Sequence, residues 1–207
     1  MKMTVRIAGL VAMVSFAANA QNQGITPEQM QQMQKALGAL TAAAQSGGTK
    51  PVVDFRELKA LLPKELPGGL KGQLKGQKSG AMGMTVSEAE GRYSKDGGNG
   101  SITIKLSDIS GTGALGAMAH AAWATAEIDN ETDDSYEKTT TISGYKGMEK
   151  YNKKDKDGEI HLFIDNRFIV EIRGSDIKIE DLKGALGAVD LKKIAALKPA
   201  APAPATP

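Results

Sequence analysis

The fold of this 207-residue chain is decided by one stretch: Glu159-Ile-His-Leu-Phe-Ile164, then Asp165-Asn-Arg167, then Phe168-Ile-Val-Glu-Ile-Arg-Gly174. Apolar and polar residues alternate on both sides of the short polar segment, which is typical of two half-buried β-strands. A three-residue loop at 165–167 gives one wholly apolar face, with Ile164 opposite Phe168, Leu162 opposite Val170 and Ile160 opposite Ile172. The stretch therefore predicts an antiparallel hairpin.

The polar face of the same hairpin supports this register. It places His161 opposite Glu171 and Glu159 opposite Arg173, so opposite charges face each other across the strands. A two-residue loop would mix the apolar and polar faces. We therefore predict the three-residue loop.

Alternation and turn signals predict further strands along the chain. They cover about 82–93, 102–107, 136–142 and 145–151, with turn signals at 96–100 and 155–158. Residues 66–80 are rich in glycine and lysine, and we expect either a mobile loop or an edge strand whose lysines discourage edge-to-edge pairing. The predicted fold class is α+β: a single domain with an open antiparallel sheet of about six strands and flanking helices.

Two helical regions flank these strands. Asp54 is a candidate N-cap for a helix that ends before Pro63. A second region lies after the hairpin, beyond Asp176. The apolar positions at helical spacing are Phe55, Leu58, Leu61 and Leu62 in the first region, and Ile179, Leu182, Leu186, Val189, Leu191, Ile194 and Leu197 in the second.

The turn Gly111-Thr-Gly113-Ala-Leu-Gly116 matches the G-x-G-x-x-G dinucleotide fingerprint and precedes an Ala/Gly-rich helix. In that interpretation Glu131 or a neighbour would bind the ribose. The preceding strand exposes Lys105, however, whereas the first strand of a doubly wound sheet is apolar on both faces. We therefore interpret the glycines as a tight corner.

The corner hypothesis makes one structural prediction. The helix from about 113 to 128 carries Leu115, Met118, Ala119, Ala122 and Ala126 at helical spacing, with Trp123 beside them. We expect Leu115 and Met118 to reach the same core as Ile102, Ile104 and Leu106.

Both ends of the chain differ in composition from the middle. Residues 1–20 resemble a signal peptide, with Lys2 and Arg6, an apolar run and Ala18-Asn-Ala20. Residues 21–50 predict a Gln/Met-rich helix and a Gly/Ser linker, 51–198 the α+β domain, and 199–207 a disordered Pro/Ala tail. We expect an exported bacterial protein, periplasmic or secreted, with no transmembrane segment after signal cleavage.

Composition excludes several kinds of chemistry. The absence of cysteine excludes disulfides, thiol catalysis and thiolate metal sites. The net charge of +2 comes from Lys2 and Arg6, so the remaining chain is near neutral and a nucleic-acid partner is not expected.

Candidate metal ligands are few. Six acids between Glu127 and Glu137 could bind calcium, but we favour a solvated acidic loop. Asp155 and Asp157 precede Gly158 as in a calcium loop, yet the first and last positions would be Lys153 and Ile164. His120 and His161 form no cluster, so the sequence assigns no catalytic, cofactor or metal residue, and no cofactor.

Four runs can be compared with known families: Tyr145-Lys-Gly-Met-Glu-Lys-Tyr151, Asp157-Gly-Glu-Ile160, Asn166-Arg-Phe-Ile-Val-Glu-Ile-Arg-Gly174 and Asp190-Leu-Lys-Lys193. Together they resemble an uncharacterised family of bacterial exported proteins over about residues 51–198. The order of elements is similar to the open sheet of PsbP-like proteins. This resemblance implies a fold and no activity.

The leading functional hypothesis is a non-enzymatic binding or envelope-associated module whose partner is an unknown protein or cell-envelope component. One alternative is a periplasmic small-molecule or lipid carrier, with a Met-rich pocket between sheet and helix. The other is a hydrolase with an unidentified carboxylate site, which requires acids that converge with perturbed pKa values.

Overall fold

A computed structural model describes residues 50–81, 83–94 and 100–199, without the side chain of His120. The predicted signal peptide, the Gln/Met-rich helix, its linker at 46–49 and the tail beyond Pro199 lie outside the described residues, as does the turn predicted at 96–100 except for Gly100. Those expectations remain predictions.

The described chain forms nine strands and four α-helices. The strands are β1 (Glu65–Leu66), β2 (Leu70–Ala81), β3 (Met84–Ser94), β4 (Ser101–Asp108), β5 (Asp129–Glu131), β6 (Ser135–Ile142), β7 (Tyr145–Asn152), β8 (Asp157–Ile164) and β9 (Phe168–Ser175). The helices are α1 (Phe55–Ala60), α2 (Gly113–Thr125), α3 (Ile179–Gly187) and α4 (Leu191–Ala195). A 3-10 turn at Ser110–Thr112 precedes α2.

All nine strands form one antiparallel sheet, in the order β1-β2-β3-β4-β9-β8-β7-β6-β5. The open antiparallel sheet with flanking helices is confirmed, but the fold is mainly β and the sheet exceeds the predicted six strands. The additional strands are β1, β5 and β2; β2 is the edge-strand alternative of the two predicted for residues 66–80. Strands β1 and β5 are too short to show a period of two, and glycine interrupts the alternation in β2.

The hairpin that decides the fold has the predicted register. Ile164 pairs with Phe168, Leu162 with Val170, and Ile160 with Ile172, while His161 faces Glu171 and Glu159 faces Arg173. The loop spans residues 165–167, and Asp165 and Asn166 have φ angles of 50° and 55°. Asp and Asn tolerate this left-handed conformation better than most residues.

Helices α1, α3 and α4 pack on one face of the sheet, which we call the core face. Asp54 caps α1 by accepting from Arg56 N at 2.8 Å, as predicted. The largest fully buried side chains of this face are Leu58, Tyr93, Ile102, Ile104, Leu106, Ile160, Leu162, Ile164, Phe168, Ile172, Leu182 and Ile194. The final helical region is divided into α3 and α4, since residues 188–190 leave the helix between them.

Helix α2 does not join this core, so the prediction for Leu115 and Met118 was wrong. Both side chains are exposed, at 37% and 52% of their surface. The helix instead packs through Trp123, whose ring centroid lies 5.0 Å from that of Phe163 on the opposite, open face of the sheet. Because α2 is apolar on nearly all sides, its sequence did not indicate which side faces the protein.

The glycine motif forms a packed corner. Strand β4 lies between two antiparallel neighbours, β3 and β9, so it is not the first strand of a parallel nucleotide-binding sheet. A side chain at Gly111 would collide with the backbone oxygen of Thr85, and Gly113 has a φ of +59°. These glycines therefore permit close packing and a turn, as predicted.

Candidate functional site

Two carboxylates are buried in the described part of the chain: Asp108, which is fully buried, and Glu149, which is 2% exposed. Ionised carboxylates are rarely buried without partners, because leaving water costs several kcal/mol per ion. The donors around each carboxylate show whether it has a structural role or belongs to a candidate site.

Asp108 stands at the end of β4 inside a complete set of donors. Its Oδ2 accepts from Val53 N at 2.7 Å and from Arg167 Nη2 at 2.8 Å. Its Oδ1 accepts from Ser110 N at 3.0 Å and from Arg167 Nε at 3.3 Å. Arg167 also donates to Leu197 O at 2.9 Å, so this cluster ties four segments of chain together.

Glu149 on β7 has a different environment. The Tyr136 hydroxyl donates to its Oε1 at 2.5 Å, and the ammonium of Lys183 on α3 lies 3.2 Å from the same oxygen. Both contacts come from side chains. The Lys183 side chain is half exposed, so part of the charge compensation of Glu149 comes from the solvent side.

A groove of about 590 Å³ opens beside Glu149, between β6–β7 and the C-terminal helices. We call it the C-terminal groove. Its apolar wall includes Ile142, Leu186, Val189 and Leu191, and its polar groups include Glu149 and Lys183. This volume lies within the range of small-molecule sites, and a few polar groups on an apolar wall are typical of them.

Tyr136 is a hydrogen-bond donor to Glu149 over the whole neutral range. Burial, followed by the hydrogen bond and charge of Glu149, raises the pKa of Tyr136 well above its ordinary value of 10. The ring centroid of Tyr136 lies 6.3 Å from that of Tyr151, whose hydroxyl donates to Ile177 O at 3.0 Å. These contacts hold the Tyr136 hydroxyl beside Glu149.

The open face of the sheet carries a ladder of alternating charges. In one row across the strands lie Lys75, Glu90, Lys105, Glu171 and His161. Neighbouring rows add the pairs Lys105–Glu88 at 2.6 Å, Arg173–Glu171 at 2.6 Å and His161–Glu159 at 3.4 Å. The side chains neutralise one another, as cross-strand pairs do.

These ion pairs hold the acids in the ionised form. Burial raises the pKa of Glu88, but hydrogen bonds from Lys105 and Gln77 bring it below its ordinary value of 4.5. The hydrogen bond from His161 is the largest effect that lowers the pKa of Glu159. A general acid at neutral pH needs the opposite shift.

A second concave region, of about 500 Å³, lies at the end of the sheet where β4, β7, β8 and β9 meet. Serine, lysine and arginine side chains line much of it, and Arg173 there contacts Glu159 at 3.5 Å. Unlike the C-terminal groove, it has no buried charge beside an apolar wall. We therefore take the C-terminal groove as the candidate site.

The residues weighed from the sequence do not converge. Glu131 lies on β5, whereas the glycine corner lies between β4 and α2. Among residues 50–81, 83–94 and 100–199, no three acids or histidines are grouped to hold a metal ion. In the same part of the chain, no helix is long and apolar enough to cross a membrane.

Glu149 is not among the site residues that the sequence predicted, although the chain carries a signal for it. Residues 145–151 alternate, and Glu149 is in phase with Tyr145, Gly147 and Tyr151, the inward positions of β7. An acid in the inward phase of a strand indicates a buried charge. No local signal links Glu149 to Lys183, because α3 lies far along the chain.

The geometry defines an open antiparallel sheet protein with an end groove that contains a buried carboxylate. No family model, no curated protein and no solved structure matches this chain. The resemblance to exported bacterial proteins and to PsbP-like proteins therefore stays a prediction.

Proposed function

We propose that the protein is an exported, non-enzymatic binding module, and that its ligand is a small amphipathic molecule held in the C-terminal groove. The observation that carries this proposal is the burial of Glu149 at the groove, with compensation from a half-exposed lysine. An apolar residue of similar size would fill a core position without the desolvation cost. A buried carboxylate beside an opening is better explained by ligand recognition.

The head group of the ligand follows from the charge of Glu149. A carboxylate accepts hydrogen bonds, so the matching head group is a donor, of which a primary ammonium is the simplest. Such a head group replaces the Lys183 ammonium, which the half-exposed side chain can withdraw into solvent. The apolar wall at Leu186 and Val189 then contacts the hydrocarbon part.

The carrier alternative required a Met-rich pocket between the sheet and a helix. The interior between the sheet and the helices is filled by large apolar side chains. The described residues that line the C-terminal groove include no methionine. The hydrolase alternative needs acids with raised pKa values, whereas the acids of the open-face ladder have lowered ones. These observations therefore favour a non-enzymatic module that binds its ligand in the C-terminal groove.

The test compares two probes with the same tail and opposite head groups, hexylamine and hexanoate, in a thermal unfolding assay. Hexylamine should raise the melting temperature, since a ligand at a hundredfold excess over Kd stabilises by about 2.7 kcal/mol. Hexanoate should not. Equal effects of both probes, or no effect of hexylamine, would contradict the proposal.

A matched pair of variants locates the effect. Glu149→Gln should remove the response to hexylamine, while Glu171→Gln on the open face should keep it. If both variants respond like the unchanged protein, the amine binds elsewhere and the groove is not the site.

A further inference from the structure

Among the described residues, only a short segment pairs with the outer edge of β2. Strand β1 covers only Leu70 and Lys71, and Gly72 N donates to Lys64 O at 2.9 Å just beyond it. In an antiparallel ladder every second residue points its N–H and C=O to the same side. The outward groups beyond Gly72 therefore belong to Leu74, Gly76, Lys78 and Gly80, and no backbone bond from a described residue reaches them.

The opposite edge of the sheet is β5, and its outward groups follow from the same rule. Thr139 N donates to Ile128 O at 2.7 Å, so Ile128 and Asn130 turn towards β6. The outward positions are then Glu127, Asp129 and Glu131. Both edges therefore present backbone groups at every second residue.

The two edges carry opposite charge. Strand β2 contains Lys71, Lys75 and Lys78 and no acid. The segment 127–134 contains Glu127, Asp129, Glu131, Asp133 and Asp134 and no basic residue. Pairing of β2 with another β2 sets like charges opposite each other, whereas pairing with β5 sets unlike charges opposite each other.

Strand direction also fits such a pairing. All neighbours in the sheet are antiparallel, and β2 and β5 stand second and ninth in the order. They therefore run in opposite directions. A second copy in the same orientation brings its β5 antiparallel to the first copy's β2, with the core faces on the same side of the extended sheet.

We propose that the protein associates head to tail with further copies of itself, with the acidic β5 edge of one copy pairing with the basic β2 edge of the next. The two surfaces of such a contact differ, so it does not close into a dimer and continues as an open chain. Few residues pair at each contact, so a single contact is weak and depends on salt. The Lys153–Glu131 pair, at 3.6 Å, is exposed on both sides and exchanges easily. On β2, Lys75 contacts Glu90 at 3.1 Å but keeps most of its own side chain in solvent.

The experiment is sedimentation velocity of the purified protein over a range of concentrations, at about 0.02 M and about 0.5 M salt. Species larger than a dimer should appear with concentration at low salt and disappear at high salt. A monomer under all conditions would overturn the proposal, as would a dimer that grows no further.

Charge reversal tests the polarity of the contact. Two double variants each make both edges alike in charge: Lys75→Glu/Lys78→Glu and Asp129→Lys/Glu131→Lys. Each variant should be monomeric alone. An equal mixture should associate again, because the acidic edges of the first variant then meet the basic edges of the second. Lys193→Glu/Lys198→Glu makes the same charge change on and after α4, away from both edges, and should associate like the unchanged protein. Association of either edge variant alone would contradict the proposal.

A backbone variant separates strand pairing from general charge attraction. Lys78→Pro removes an outward N–H while leaving the bonds to β3, which proline tolerates on edge strands. It should lose association more completely than Lys78→Ala, with the β-sheet circular dichroism of both unchanged. Equal association of these two folded variants would show that β2 does not pair through its backbone.

Discussion

Asp108 and Glu149 are both buried acids at the core face of one sheet, yet they differ in the groups that donate hydrogen bonds to them. Asp108 accepts from two backbone N–H groups and from the guanidinium of Arg167, on both of its oxygens. Glu149 contacts two side chains through one oxygen, and one of these is half exposed. The first arrangement is fixed by the fold, whereas the second can exchange a partner with a ligand.

The largest expected effect separates the two acids by isosteric substitution. Asp108→Asn should lower the free energy of unfolding by about 3 kcal/mol, because it leaves the part-buried guanidinium of Arg167 without its counter-charge. Glu149→Gln should cost about 1 kcal/mol, since an amide oxygen still accepts from Tyr136. Urea unfolding monitored by circular dichroism measures both.

The control for this comparison is Arg167→Lys, which keeps the charge and loses the two-point contact with Asp108. Its loss in free energy of unfolding should lie between the losses of Asp108→Asn and Glu149→Gln. Equal losses from Asp108→Asn and Glu149→Gln would remove the distinction between a structural and an exchangeable carboxylate.

A smaller effect concerns the two partners of Glu149. Tyr136→Phe should cost about 1.5 kcal/mol, because it removes a hydrogen bond to a charged group. Lys183→Met should cost less than about 1 kcal/mol, because solvent screens a half-exposed ammonium. The reverse order in thermal unfolding would show that Lys183 is a fixed structural partner.

The smallest effect on stability per group concerns the ladder on the open face. Its acids are neither enclosed by backbone donors, as Asp108 is, nor placed beside the C-terminal groove, as Glu149 is. The pKa values of Glu88, Glu90 and Glu159 lie below the ordinary value of 4.5 in the folded protein. Their contribution is therefore present above pH 4.5 and is lost as the pH falls through the lowered pKa values. The melting temperature should be flat near neutrality and fall below about pH 4.5.

Lys105→Met is the matched variant for this pH series. It removes a partner of Glu88, whose pKa should then return towards the ordinary value, so the acid-induced loss becomes smaller. An unchanged slope between pH 5 and 3 would mean that the Lys105–Glu88 pair contributes nothing to acid stability.

The parts of the fold that the sequence predicted are those with local periodicity. The β8–β9 register followed from alternation within one hairpin, and the cap at Asp54 and the end of α1 before Pro63 followed from neighbours along the chain. The position of α2 was not predictable in this way, because a helix that is apolar all round has no preferred side.

The candidate site depends on contacts between distant segments. Alternation places Glu149 on the inward face of β7, but nothing local indicates that Lys183 compensates its charge or that a groove opens there. Asp108 and Arg167 are likewise joined only by the β4–β9 pairing. Such pairs become visible once the strand order is known.

That strand order has a consequence for how the chain folds. Every neighbouring pair in the described sheet joins strands consecutive in sequence, except β4 and β9, which bring Ser101 to Ser175 and Asp108 to Phe168. Two meanders of hairpins can thus form from short loops, whereas joining them closes the longest loop and carries the largest entropy cost. The Asp108–Arg167 pair lies at this junction, so it stabilises the union of two halves that are each built locally.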